Sequence, residues 1–190
     1  TNPAFLFQQN SLRDALVAAT SLDIFNRHAN KVVMANIAQT INVLQAMILT
    51  QEEKMLVTPT GYVYEMYAPH QGGTSLRTVI ESDAATYTAA GKEQQVATVS
   101  GSASRTGKVL FLTLTNAHAT DAIEVTVDLL GGAQAAGGAA RVLSGEIHAH
   151  NTFEAPETLT PRPYAIDATG ASFVVTLPPA SVLAAEIALG

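Results

Sequence analysis

The chain has 190 residues, a formal net charge of −6, and 47% hydrophobic against 14% charged residues. That balance excludes a disordered chain, and the absence of any Lys/Arg cluster excludes a surface built for nucleic acid or an anionic membrane. Without cysteine there is no disulfide framework, thiolate nucleophile or zinc–thiolate site, which fits a reducing compartment; no apolar run approaches the roughly 20 residues of a bilayer span.

The opening TNPAFLFQQN lacks an initiator Met, a basic segment and a long apolar run, so it is not a signal peptide. It reads as a chain cut mid-protein. SLRDALVAATSLDIFNRHAN comes next. Ser11 with Asp14 three places on resembles a capping box, and Leu12, Ala15, Leu16, Ala19, Leu22 and Phe25 recur at helical spacing. The pattern predicts a helix over 11–28, with Arg27 and His28 in the last turn and Asn30 as a left-handed stop. KVVMANIA succeeds it with almost no loop, and reads as a strand buried on both faces, as in a βα repeat. VLQAMIL then reads as a short helix.

From about residue 60 the period changes to two. YVYEMYAP, QQVATVSGSAS, KVLFLTLTNA, AIEVTVDLL, ARVLSGEIHAH, ASFVVTLPP and SVLAAEIAL are strand-like runs separated by turn signals, the pattern of an antiparallel β-sandwich. GGAQAAGG (131–138) reads as a flexible hairpin tip. The predicted organisation is α/β plus all-β: residues 1–55 as the end of an α/β unit, which would be the last helix–strand unit of a (β/α)8 barrel if it belongs to one, and 56–190 as a jelly-roll-like antiparallel sandwich whose final strands could return to the first part. One parallel strand cannot make a sheet, so the missing neighbours must come from another segment or chain.

Chemistry-bearing residues are sparse. Asn36, Gln39 and Asn42 are neutral amides three apart in MANIAQTINVLQ. At the C-terminal end of a barrel strand, Gln39 and Asn42 would face the active site and offer both donors and acceptors to a hydroxyl-rich ligand. They could equally satisfy backbone groups in the turn. Glu52 and Glu53 beside Lys54 read as a solvated loop, Glu65 as a solvent-facing or domain-contact residue in a strand, and Glu154 and Glu157 as part of a Pro-containing loop. No pair of carboxylates has a context that would fix it across a scissile bond. His148 and His150 fall on one face of a predicted strand without a third metal ligand nearby. No metal or cofactor is expected, and a nucleophile elbow, a P-loop and a dinucleotide fingerprint are absent.

LFQQNSLRDALVAATSLDIFNRHANKVVMANIAQTINVLQAMILT closely resembles the last helix–strand unit of the catalytic barrel in glycoside hydrolase family 51, the α-L-arabinofuranosidases. TPTGYVYEMYAPHQG and AHNTFEAPETLTPR resemble, in the right order, that family's passage from barrel to sandwich and a sandwich stretch. The resemblance implies part of a retaining exo-glycosidase that releases terminal arabinofuranose from arabinan- or arabinoxylan-type oligosaccharides. Its two barrel glutamates lie on strands before the segment that aligns here, so no catalytic residue is assigned to this chain. It also implies that Gln39 contacts the sugar ring, with a weaker claim for Asn42. It further implies a homo-oligomer, an intracellular (cytoplasmic) enzyme, and the N-terminal barrel segment as an obligatory partner. Gly61 and Tyr62 depart from the Tyr-His pair more usual in the family. The rival expectation is a non-catalytic carbohydrate-binding sandwich, with Tyr62, Tyr64, Tyr67 and Tyr87 as the available aromatic platforms.

Overall fold

A computed structural model describes residues 9–190 of the chain. The predicted first helix is present as α1 (Leu12–Arg27). Asp14 Oδ2 accepts from both the backbone N–H and the hydroxyl of Ser11 at 2.9 Å. The first free helical N–H groups, of Leu12 and Arg13, donate to Ala149 O and Ile147 O at 2.9 Å. The helix start is thereby seated on the 146–150 loop. At the other end, Lys31 N and Val32 N fold back onto His28 O. The helix therefore unwinds through a turn, and Asn30 is not in the left-handed conformation predicted for it.

Three further expectations are corrected. Residues 31–38 carry no regular secondary structure and form no ladder among the described residues. A parallel strand exists only when flanking strands accept its hydrogen bonds. The predicted helix in VLQAMIL does not form: residues 43–47 carry no helix or strand, and Ile48 and Leu49 begin a hairpin, β1 (Ile48–Gln51) paired with β2 (Lys54–Val57). The predicted strand YVYEMYAP is instead a helix, α2 (Pro59–Tyr67), continued by one 3-10 turn at Ala68–His70. Thr58 caps α2 by accepting from Gly61 N at 3.1 Å, and Pro59 occupies the first turn. Both are start signals that the alternating tyrosines obscured. Val63, Met66 and Tyr67 form the buried stripe.

Beyond α2 the chain is the predicted antiparallel sandwich. Its strands are β3 (Thr74–Ser75), β4 (Ala84–Ala89), β5 (Lys92–Ala97), β6 (Val99–Thr106), β7 (Val109–Asn116), β8 (Ile123–Asp128), β9 (Ala135–Ser144), β10 (Arg162–Tyr164), β11 (Thr169–Gly170), β12 (Ser172–Leu177) and β13 (Ser181–Leu189). Among the described residues, seven strands form one sheet in the order β10-β9-β13-β7-β6-β3, with β11 also on β9; β12 and β8 pair separately. The final strand thus lies in the middle of the larger sheet. The tract 131–138 is only half a loop, because β9 begins at Ala135. Its glycines suit the close approach of β13: a Cβ on Gly138 would stand 2.8 Å from Glu186 O. The β4–β5 hairpin, of which only the second strand was predicted, has all its residues exposed.

The large sheet is the middle of three layers. Leu110, Leu112, Leu114, Leu183, Ala185 and Ile187 point from it toward Phe173, Val175 and Leu177 of the β8–β12 pair. On the opposite face, Leu143, Val182 and Ala180 pack with Leu12, Leu16, Val63 and Met66 of the two helices. A strand that is covered on both sides loses its polar/apolar alternation, as the run Ser181-Val182-Leu183 shows, with all three fully buried.

Gly61 is the point where α2 meets the segment before it. A side chain here would collide with Met47 O and stand 2.9 Å from Val57 Cγ1. Alanine ordinarily favours a helix over glycine by about 1 kcal/mol. Here Gly61→Ala should reverse that sign and destabilise the protein by about 1–3 kcal/mol in chemical denaturation, as overpacking does. Leu183→Ala, at 0% exposure, should cost about 2–5 kcal/mol.

Candidate functional site

Gln39 lies at the end of the unpaired stretch 31–38 and is exposed. Its backbone N–H donates to Val43 O at 3.5 Å, and the peptide joining it to Ala38 is cis. Asn42 is placed differently. It adopts φ 62°, a conformation that asparagine tolerates better than most residues. Its Oδ1 accepts from Thr50 N at 2.7 Å, and its Nδ2 donates to Thr50 Oγ1 at 2.9 Å. Both ends of the Asn42 amide are thus committed to β1. Asn36 is exposed. The three amides read together in the sequence therefore do not converge on one point through shared contacts.

The dense polar constellation lies elsewhere, between α1 and the outer face of the sheet. Asp23 is fully buried. Its Oδ1 accepts from Tyr67 Oη at 2.8 Å and from Ser102 Oγ and Thr113 Oγ1 at 2.9 Å. Its Oδ2 accepts from Ser100 Oγ at 2.9 Å and Thr115 Oγ1 at 3.4 Å. The hydroxyls come from alternate positions of β6 and β7, whose intervening residues Val99, Leu112 and Leu114 face the apolar core. Period two therefore gives one strand pair an oily side and a hydroxylated side. Burial pushes the Asp23 carboxyl above its usual range, opposed by the Tyr67, Thr113, Ser102 and Ser100 hydroxyls. Burial and the adjacent Asp23 charge hold the Tyr67 phenol well above its ordinary value.

The constellation extends in both directions. Asn26 Nδ2 donates to Ser102 Oγ at 3.1 Å, Arg27 Nη1 to Gly101 O at 2.9 Å, and Ser75 Oγ to Asn26 O at 2.7 Å. His70 Nδ1 lies 2.7 Å from Ser104 Oγ and Nε2 lies 3.3 Å from Thr113 Oγ1. Burial lowers its pKa from 6.5 to about 4, so the ring is neutral at pH 7. Beside His70 a groove of about 240 Å³ runs past Phe111 and Glu186 to Arg141. Arg141 is already paired with Glu65 at 2.9 Å.

Sixteen Asp and Glu residues occur in the chain, all of them within the described region. Only Asp23 is buried. Glu52, Glu53, Glu154 and Glu157 are exposed, as solvated loop residues should be. Glu65 is exposed too, but on α2 rather than on a strand. His148 and His150 do not share a strand face, because β9 ends at Ser144. His148 N instead donates to Glu146 Oε2 at 2.9 Å. This chain therefore brings no acid/nucleophile pair together among the described residues.

The family model described as the α-L-arabinofuranosidase C-terminal domain matches residues 1–181. The chain belongs to that family. An intracellular exo-α-L-arabinofuranosidase of Bacteroides ovatus is 36% identical over 185 residues, which are 96% of this chain and 35% of the relative. The crystal structure of the family 51 arabinofuranosidase from Xanthomonas axonopodis pv. citri superposes with a TM-score of 0.87 at 39% identity. It covers 98% of this chain, which spans 38% of that one. A family 51 enzyme from Bifidobacterium longum gives a TM-score of 0.84 at 25% identity, with 98% and 37% covered. The chain thus spans about a third of the relatives it matches, and the α-L-arabinofuranosidase C-terminal fold is shared over nearly its whole length.

Within this arabinofuranosidase domain, the Asp23 site escaped the sequence reading. Asp23 occupies a helical position between Leu22 and Ile24, and its partners are more than 40 residues away. One local signal existed: the helical register places Asp23 with Leu12, Leu16 and Ala19 on the face that is buried, and an acid there needs partners.

His70 and Asp23 should leave opposite marks on stability. His70 binds its proton more weakly folded, about 4 against 6.5. Its contribution is full above pH 6.5 and is lost as pH falls toward 4. Asp23 holds its proton more tightly folded than the 3.8 of the free side chain. Its contribution is full below 3.8 and is lost as pH rises through the higher folded value. Urea denaturation across the acid range should show a shallower acid-side loss for His70→Gln. Asp23→Asn should show a steeper net rise toward neutral pH than the parent.

Proposed function

We propose that this chain is the C-terminal part of a retaining exo-α-L-arabinofuranosidase, working with an N-terminal barrel segment that supplies the acid/base and nucleophilic glutamates. The observation that carries the reading is the match of nearly the whole chain to about a third of such enzymes, joined to the absence of a carboxylate pair at any site among the described residues. Residues 1–55 would complete the barrel wall and 56–190 would be the accessory sandwich. Supporting this division, Val33 is 96%, Met34 72% and Met55 63% exposed. Apolar side chains so open to water call for a covering surface, and residues 33–38, which join no ladder among the described residues, leave backbone groups free for neighbouring strands.

In this reading the substrate is a terminal arabinofuranosyl residue on an arabinan- or arabinoxylan-type oligosaccharide, and Gln39 orients it. An amide can both donate to a ring hydroxyl and accept from one. Among the described residues the Gln39 side chain has no competing hydrogen bond, whereas Asn42 spends its amide on Thr50. Gln39 is therefore the sugar contact and Asn42 the shaper of the loop that presents it. The N-terminal segment attacks the anomeric carbon with one glutamate while the other protonates the leaving oxygen; water then releases the sugar with retained configuration. An intracellular location follows the name of the Bacteroides ovatus relative, and no helix among the described residues is long and apolar enough to cross a membrane. Assembly into a homo-oligomer belongs to the same proposal. The carbohydrate-binding alternative loses support at three of its four aromatic positions: Tyr67 is buried with its hydroxyl on Asp23, and Tyr62 and Tyr64 pack with the helices, while Tyr87 on β4 stays 50% exposed.

Purified alone, the chain should not hydrolyse an aryl arabinofuranoside, and activity should appear when the N-terminal segment is co-produced with it. Turnover by the isolated chain would sink the proposal. In the complete enzyme, Gln39→Ala should lower kcat/KM by about tenfold or more, the value of one lost substrate hydrogen bond.

A further inference from the structure

The Asp23 constellation and the amide at Gln39 are linked by one continuous stretch of chain. Helix α1 ends at Arg27, four residues after Asp23, and Gln39 lies twelve residues beyond that end. The last turn of α1 is pinned to the sandwich three times over: by Asp23 to β6, β7 and α2, by Asn26 to Ser102 and Ser75, and by Arg27 to Gly101. The far end of the same stretch is pinned as firmly. Ala46 O accepts from Asn10 Nδ2 at 3.1 Å and from Thr58 Oγ1 at 2.8 Å, and Thr58 N donates to Met47 O at 3.0 Å. Between the two clamps, residues 31–38 make no ladder bonds among the described residues.

We propose that Asp23 is a positioning residue: the sandwich, through the hydroxyls that grip the Asp23 carboxyl, sets where the 31–45 segment and its Gln39 amide stand relative to the bound sugar. This rests on the proposed role of Gln39. It adds a task for the accessory domain, which otherwise lies outside the chemistry. A carboxyl is suited to the part because its two oxygens accept from several hydroxyls at once, and these converge from two strands and a helix. Rotation or sliding of α1 would break several bonds together, whereas a purely apolar seam would let the helix slip. Placement errors of about 1 Å in a substrate-orienting group cost up to about a hundredfold in rate.

A double-mutant cycle in the complete enzyme tests this, with kcat/KM on an aryl arabinofuranoside measured for Asp23→Asn, Gln39→Ala and the pair. If Asp23 acts through Gln39, Asp23→Asn should cost at least about fivefold in the parent and less than about twofold once Gln39 is alanine. Burst titration of the glycosyl-enzyme normalises each rate to correctly folded sites. Tyr67→Phe, which removes one donor and keeps the ring, repeats the cycle if Asp23→Asn does not fold, and should couple to Gln39→Ala in the same sense. Equal losses from Asp23→Asn in both backgrounds, or no loss per active site in the parent, would overturn the positioning role and leave Gln39 a sugar contact. A silent Gln39→Ala would overturn the Gln39 reading itself, and the positioning role with it.

Discussion

Asp23 sits inside the protein at zero exposure, and the arrangement of both helices depends on how that is made tolerable. An ionised carboxylate moved from water to a protein interior costs several kcal/mol even after relaxation. The cost is offset only by hydrogen bonds, at about 1.5–3 kcal/mol each when one partner is charged. Tyr67, Ser100, Ser102 and Thr113 all lie within 2.9 Å. These donors stand on α2, β6 and β7, so the site is satisfied only when helix, helix and sheet are assembled in one register. Apolar packing around Leu12, Leu16, Val63 and Met66 supplies attraction without direction; the carboxyl supplies the direction.

The large sheet accordingly has two chemically different sides. Toward the β8–β12 pair it is aliphatic, and toward α1 it is a lattice of hydroxyls with His70 at its edge. Small residues keep the layers close. A Cβ on Gly101 would stand 2.7 Å from Thr113 O, so this glycine lets β6 lie flat against β7 directly beside the hydroxyls that bind Asp23. Burial lowers the His70 pKa to about 4, and the neutral ring spends both nitrogens on the same lattice. Polar groups here tie the helices to the sheet.

The segment after α1 obeys the opposite logic. KVVMANIA has the composition of a strand covered on both sides, yet among the described residues it joins no ladder, and Val33 and Met34 stand open to water. The hairpin β1–β2 and the Asn42–Thr50 pair stabilise the residues after this stretch, and the N-terminus of α2 closes against Met47 through Gly61. Two well-built anchors therefore flank a stretch that joins no ladder among the described residues.

The sequence by itself determined α1, most of the sandwich strands and the family. Each rests on short-range information: a cap and a 3.6-residue stripe, a period of two with Gly and Pro punctuation, and motifs readable in order. It also showed that Gln39 and Asn42 offer neutral hydrogen-bonding groups. Tertiary structure decided the rest. It turned YVYEMYAP into a helix, because the Thr58 cap, Pro59 and a buried face against α1 outweigh alternating tyrosines. It drew half of the glycine-rich tract into β9, because β13 approaches too closely for larger residues. It separated Asn42, committed to Thr50, from Gln39, whose side chain has no such partner among the described residues. Asp23 shows the reason most plainly. Its meaning lies in hydroxyls 77 and 90 residues away, and no local pattern encodes which distant side chains a buried carboxyl will meet.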